Sequence, residues 1–137
     1  CSAVCANQNV TETERELVLE LLGSLGRTYI IREGLIDAFS AIAGSSPAYV
    51  FMFLEAMADA GVAAGMPRGQ AIEVAAQAVL GSAKLLLETG KHPGELKDMV
   101  CSPGGTTIQG VRTLEEQGMR GAVIDALLAC VERAGKL

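Results

Sequence analysis

The hydropathy pattern of this 137-residue chain predicts a mainly α fold that opens with one strand-helix-strand unit, and three observations carry that expectation. Apolar residues recur at helical spacing through most of the chain after Gly34. β-Branched and aromatic residues cluster most clearly at Thr28-Tyr29-Ile30-Ile31. Prolines 47, 67 and 93 stand where helical patterns begin, and glycines 26, 90 and 118 where they stop.

Taken in order, Ser2-Ala3-Val4-Cys5-Ala6 is a short apolar run, followed by Asn7-Gln8-Asn9 and a helix start. Thr11 with Glu14, or alternatively Thr13 with Glu16, fits a capping box, and Leu17, Leu21, Leu22 and Leu25 continue the helix to Gly26. With the strand at Thr28 this makes half of an α/β unit. A parallel sheet needs both faces covered, so residues 1–33 read as the end of a domain whose beginning lies before Cys1. Residues 34–137 read as an all-helical second part.

Leu35, Ile36, Phe39 and Ile42 give the next helix one apolar face. Gly44-Ser45-Ser46-Pro47 is expected to interrupt it, with Ser46 capping and Pro47 in the first helical position of a new helix. That new helix carries Tyr49-Val50-Phe51-Met52-Phe53-Leu54, apolar all round, which predicts burial on every side and makes Met52 and Met57 core residues. The uncharged span Ala38–Leu54 is at the lower limit for crossing a bilayer, but the interruption in its middle favours a buried helix over a membrane helix. A stripe from Ile72 to Leu87 predicts a helix of about six turns, whose alanines and Gly81 allow another helix to approach closely. An intertwined homodimer built on these two helices is the expected assembly. Short helices follow, from Glu95 to Val100 and up to Gln117, and then a last one, Met119 to Ala134.

Composition narrows the chemistry. The length is enough to bury a substantial core, yet half of the residues are hydrophobic and mean hydropathy is +0.33, so leftover apolar surface favours self-association. Net charge is −5 and aromatics are 4%, which leaves neither a phosphate-tracking surface nor a base-stacking platform and argues against nucleic acid. Cys1, Cys5, Cys101 and Cys130 form no C-x-x-C pair and have one histidine to join them, so free thiols in a reducing cytoplasm are expected and no metal site is. That histidine, His92, beside Pro93, fits a helix cap better than a general base, because no nucleophile or carboxylate partner stands near it in sequence.

The stretch Cys101-Ser102-Pro103-Gly104-Gly105-Thr106-Thr107 concentrates hydroxyls and unhindered amides just before the helical pattern Ile108, Val111, Leu114. A helix N-terminus leaves its first N–H groups unpaired and carries about half a positive charge, so it suits a small anion. The plainer reading makes Thr106 or Thr107 an N-cap and the glycines a turn.

The run from His92 through Gly110, with Leu114-Glu115 after it, resembles the signature of the pyrroline-5-carboxylate reductases. Leu35-Ile36-Asp37-Ala38 through Gly44-Ser45-Ser46-Pro47-Ala48-Tyr49-Val50-Phe51 resembles that family's other block, in the expected order and separation. The resemblance implies an N-terminal Rossmann domain binding NADPH or NADH, of which these residues hold only the end, and a helical domain that dimerises and shapes the substrate site. It implies hydride transfer to the imine carbon of 1-pyrroline-5-carboxylate, giving L-proline, in a cytoplasmic homodimer that could build larger rings.

It further implies that Ser102, Gly104, Gly105, Thr106 and Thr107 hold the substrate, with Thr107 in the catalytic role facing the ring nitrogen. Gly44, Ser45 and Ser46 would lie at the nicotinamide end of the cofactor. Here the sequence departs from the family's Ser-Gly-Ser-Gly-Pro-Ala: Ala43 and Ser46 replace the first serine and the second glycine. No G-x-G-x-x-G occurs, so these 137 residues alone are expected to be inactive. The alternatives are a non-catalytic helical dimerisation or anion-binding module, and a different imine or keto-acid reductase.

Overall fold

The computed structural model describes residues 1–136, and its helices follow the chain's punctuation. Strand β1 (Ser2–Val4), helix α1 (Glu12–Gly23) and strand β2 (Thr28–Ile30) form a β-α-β unit. The two strands pair in parallel, with Ser2 opposite Thr28 and Val4 opposite Ile30. Of the two candidate capping boxes, Thr11 and Glu14 form the real one. The Thr11 N–H donates to Glu14 Oε2 at 2.8 Å, and the Glu14 N–H donates to Thr11 Oγ1 at 3.3 Å.

After β2 the chain is helical without a break from Glu33 to Ala63, which corrects the expected interruption at Gly44–Pro47. A 3-10 turn (Glu33–Leu35) leads into α2 (Ile36–Ser40), a π-helical segment (Ala41–Ser45) and α3 (Ser46–Ala63). The π segment is what lets Pro47 sit inside a helix. A proline ring clashes with the carbonyl four residues back, here that of Ala43, and widening the preceding turn relieves such a clash. The Ser46 N–H reaches back five residues to the Ala41 carbonyl. Ser46 does not cap: its hydroxyl donates to the Ile42 carbonyl inside the helix. By length and composition this helix is long and apolar enough to cross a membrane.

Two compact units divide the chain: Cys1–Pro47 with the stretch from Asp125 on, and Ala48–Ile124. In the first, Tyr29 and Phe39 stack their rings at a tilt, with centroids 6.1 Å apart. In the second, α3 and α4 (Arg68–Thr89) approach closely where the side chains are smallest. A Cβ on Gly61 would stand 3.1 Å from the Ala71 Cβ, and Ala58, Ala71 and Ala75 are buried. Within the single chain nothing stands within 4 Å of a Cβ on Gly81, so that position is open. Pro67 is the N-cap of α4 and Gly90, at φ +63°, ends it. Then come α5 (Pro93–Val100), α6 (Thr106–Glu116) and α7 (Met119–Ala134).

The expectation of a substantial core within one chain does not hold: among the described residues the only buried apolar ones are Ala41, Ala58, Ala71 and Ala75. Nor is the Tyr49–Leu54 stretch buried on every side, since Phe51 and Met52 are each 68% exposed. Met52 is therefore not core in the single chain, while Met57 is half-buried. The physical reason is that an apolar run specifies a surface to be covered, not which chain covers it.

Candidate functional site

The loop after α5 is built by its own residue types. Pro103 supplies a fixed φ at the second position of a turn and Gly104 the left-handed third, at φ +70°. The Gly105 N–H closes it on the Ser102 carbonyl at 3.0 Å. Gly105 is extended (φ −76°, ψ 173°) and is the N-cap of α6, so it offers no side chain to the helix's first amides. The plain reading of Thr106 or Thr107 as the cap is thereby replaced: both lie in the first turn of α6. A residue with a short polar side chain at the cap would occupy those amides, whereas glycine leaves them for something else.

Gly105 is needed for a second reason. A Cβ there would be 2.3 Å from Ser102 Oγ and 3.2 Å from the Ser102 carbonyl oxygen. The Ser102 hydroxyl therefore lies against the backbone that caps α6. Ser102, Gly104, Thr106 and Thr107 are exposed and Gly105 is half-buried, so all five sequence-predicted residues come together in one accessible turn and helix start. The positive end of α6 faces that turn, and the cations farther along are paired, Arg112 with Glu116 at 2.7 Å and Arg120 with Glu115 at 2.6 Å. On α5, the hydrogen bond to the Asp98 carboxylate holds the Lys97 ammonium above the usual lysine range.

Gly44 and Ser45 lie in the π segment and Ser46 opens α3. Nothing stands within 4 Å of a Cβ on Gly44, so the backbone there is open to approach, while the Ser46 hydroxyl is engaged with Ile42. His92 is a cap: its Nδ1 accepts the Gly94 N–H at 3.0 Å. None of the four cysteines is in a disulfide, and among the described residues no group of three His, Cys, Asp or Glu side chains is placed to hold a metal.

One feature had no clear sequence signal. Phe53 and Met57 of α3, Val79 and Leu86 of α4, and Leu96 and Val100 of α5 line an apolar groove of about 560 Å³. Each is an ordinary stripe residue, and which stripes face one another is decided by the helix connections, not by periodicity.

The β-α-β unit followed by helices that leave their large apolar side chains outward is the architecture of a helical association domain attached to the end of a parallel sheet. Residues 33–137 match the family model described as pyrroline-5-carboxylate reductase dimerisation, and the chain belongs to that family. The pyrroline-5-carboxylate reductase of Escherichia coli K12 is 57% identical over 136 residues, covering 99% of this chain and 51% of that protein. The 1-pyrroline-5-carboxylate reductase of Streptococcus pyogenes superposes with a TM-score of 0.93 at 41% identity, covering 99% of this chain and 53% of that one. The pyrroline carboxylate reductase of Plasmodium falciparum, solved with NADP bound, superposes at 0.88 with 34% identity, over 96% of this chain and 51% of that one. The chain spans about half the length of the relatives it matches.

Proposed function

We propose that this chain is the substrate-holding and dimer-forming part of an NAD(P)H-dependent reductase that converts 1-pyrroline-5-carboxylate to L-proline. The observation that carries the reading is the glycine-capped start of α6, with free amides and three hydroxyls around it, in a chain of this family. A carboxylate there gains from the helix dipole and from N–H donors aimed outward, with no Lys or Arg needed. Ser102 and Thr106 would supply hydroxyl donors to the carboxylate, over the backbone of Gly104 and Gly105. The Thr107 hydroxyl would face the ring nitrogen.

The chemistry asks little more of these residues. Reduced nicotinamide, when bound, supplies the hydride. The substrate's imine already carries its proton on nitrogen, so the incoming pair of electrons forms the C–H bond while the C=N π pair settles on nitrogen as the amine lone pair. The residues contribute by holding the imine carbon in line, which is catalysis by proximity and orientation. The open backbone at Gly44 suits the approach of a flat ring, with Ser45 beside it and Ser46 contributing bulk. Gly44, Ser45 and Ser46 fit the nicotinamide end alone; these residues include no G-x-G-x-x-G phosphate cradle, and the rest of the cofactor would be held by the half of the longer relatives that this chain does not span. The same reading divides the chain into 1–33, the end of the cofactor domain, and 34–137, the dimerisation and substrate domain, in a cytoplasmic homodimer without nucleic-acid or membrane partners.

The test is reduction of 1-pyrroline-5-carboxylate by NADPH and by NADH in the full reading frame. Thr107→Ala is expected to lower kcat/KM by about ten- to a hundredfold, as loss of one hydrogen bond at a reacting centre does, without changing the unfolding midpoint. The 137 residues alone should give no turnover. A full-length protein that is inert, or a Thr107→Ala variant equal to wild type, would overturn the assignment.

A further inference from the structure

We propose that His92 is a positioning residue for the substrate loop, acting through the cap it gives α5; the proposal rests on the reading of Ser102–Thr107 as the substrate site. The imidazole Nδ1 accepts the Gly94 N–H at 3.0 Å, the His92 carbonyl accepts the Leu96 N–H at 3.2 Å, and Pro93 occupies the first turn, where a missing N–H costs nothing. Histidine and glycine are matched by shape: a Cβ on Gly94 would stand 3.0 Å from Nδ1 and 3.4 Å from Cε1. The side chain is exposed, and the neighbouring Lys91 pairs with Glu95 in the next turn. His92 thus orders the start of α5 and touches nothing that would make it a base.

This cap matters because α5 has eight residues, too few to hold together in water unaided. It is fixed by its ends and by Leu96 and Val100 in the groove. At its far end the Cys101 N–H is shared by the Lys97 and Asp98 carbonyls, at 3.1 Å each, and the next residue is Ser102, whose hydroxyl lies over the cap of α6. In a helix of about two turns, fraying at the first turn reaches the last, so the order that His92 imposes is delivered to Ser102.

The experiment compares wild type, His92→Ala, His92→Asn and Gly94→Ala in the full-length enzyme, measuring KM and kcat for the imine substrate and amide exchange over residues 94–102. His92→Ala removes the acceptor and Gly94→Ala displaces it, so both should speed exchange about fivefold, the usual size of a lost cap, and raise KM about two- to fivefold with kcat nearly unchanged. Asparagine keeps an acceptor and should restore both readouts. A merely destabilised protein would lose active enzyme and so kcat, not KM. Wild-type KM in His92→Ala, or a raised KM that asparagine does not rescue, would overturn the proposal. A wild type with no turnover would sink the reading of the loop itself, and this proposal with it.

Discussion

If the chain pairs as proposed, replacing Phe51 and Met52 with aspartate should turn the dimer into a monomer that barely folds. The chain presents 10269 Å² to solvent, whereas a monomeric protein of its 14.2 kDa usually presents about 6,800 Å². The excess of about 3,500 Å² per chain is roughly four times what each partner contributes to a standard interface. Phe51 and Met52, each 68% exposed, are among the large apolar side chains on that surface. An unpaired carboxylate buried there costs about 3 kcal/mol or more, and two-fold symmetry imposes each substitution twice. One substitution should therefore weaken the dimer by about four orders of magnitude. Sedimentation velocity at about 1 µM should find wild type at twice the chain mass. A monomeric wild type would refute the reasoning, and so would a double variant that remains dimeric with an unchanged unfolding midpoint.

Two further outcomes follow from local geometry. Gly104→Ala meets no atom within 4 Å but must adopt φ +70°, so its cost of about 1–2 kcal/mol is purely conformational; the urea midpoint should fall by the corresponding amount with the slope unchanged, and KM of the full-length protein should rise up to about tenfold. Glu14 is held below the ordinary carboxylate range by its hydrogen bond with the Thr11 side chain and then by the Thr11 N–H. A carboxyl whose folded pKa is lowered adds stability that is present above its unfolded value and is lost as pH falls through the folded one. The urea midpoint of Thr11→Ala should therefore trail wild type at neutral pH by a gap that narrows in acid to the part owed to the Glu14 N–H bond; a gap independent of pH would contradict the capping-box account.

Local chemistry made much of this fold readable. Thr11 and Glu14, Pro93 beside His92, and Gly90 and Gly118 after their helices each announce a boundary because capping depends on residues adjacent in sequence. The loop was readable for the same reason, since Ser-Pro-Gly-Gly dictates a turn wherever it occurs. Gly44–Pro47 misled because the same residues that end a helix can also be carried through one by a single widened turn. Tyr49–Leu54 misled differently: hydropathy tells that a surface avoids water and is silent on whether the cover is intramolecular. The close approach at Gly61 and Ala71 depends on how two helices are rotated, which no single stripe contains.

The contact between Ser102 and Gly105 binds two positions into one decision. Any side chain at 105 must displace the hydroxyl at 102 from where it lies. Removing the serine first would leave a newcomer at 105 to contend with only the carbonyl at 3.2 Å, so the second change costs less than it would alone. Drift at this loop is thereby steered in order: loss of the serine opens the way to a side chain at 105, whereas a side chain at 105 arriving first must displace the serine's hydroxyl.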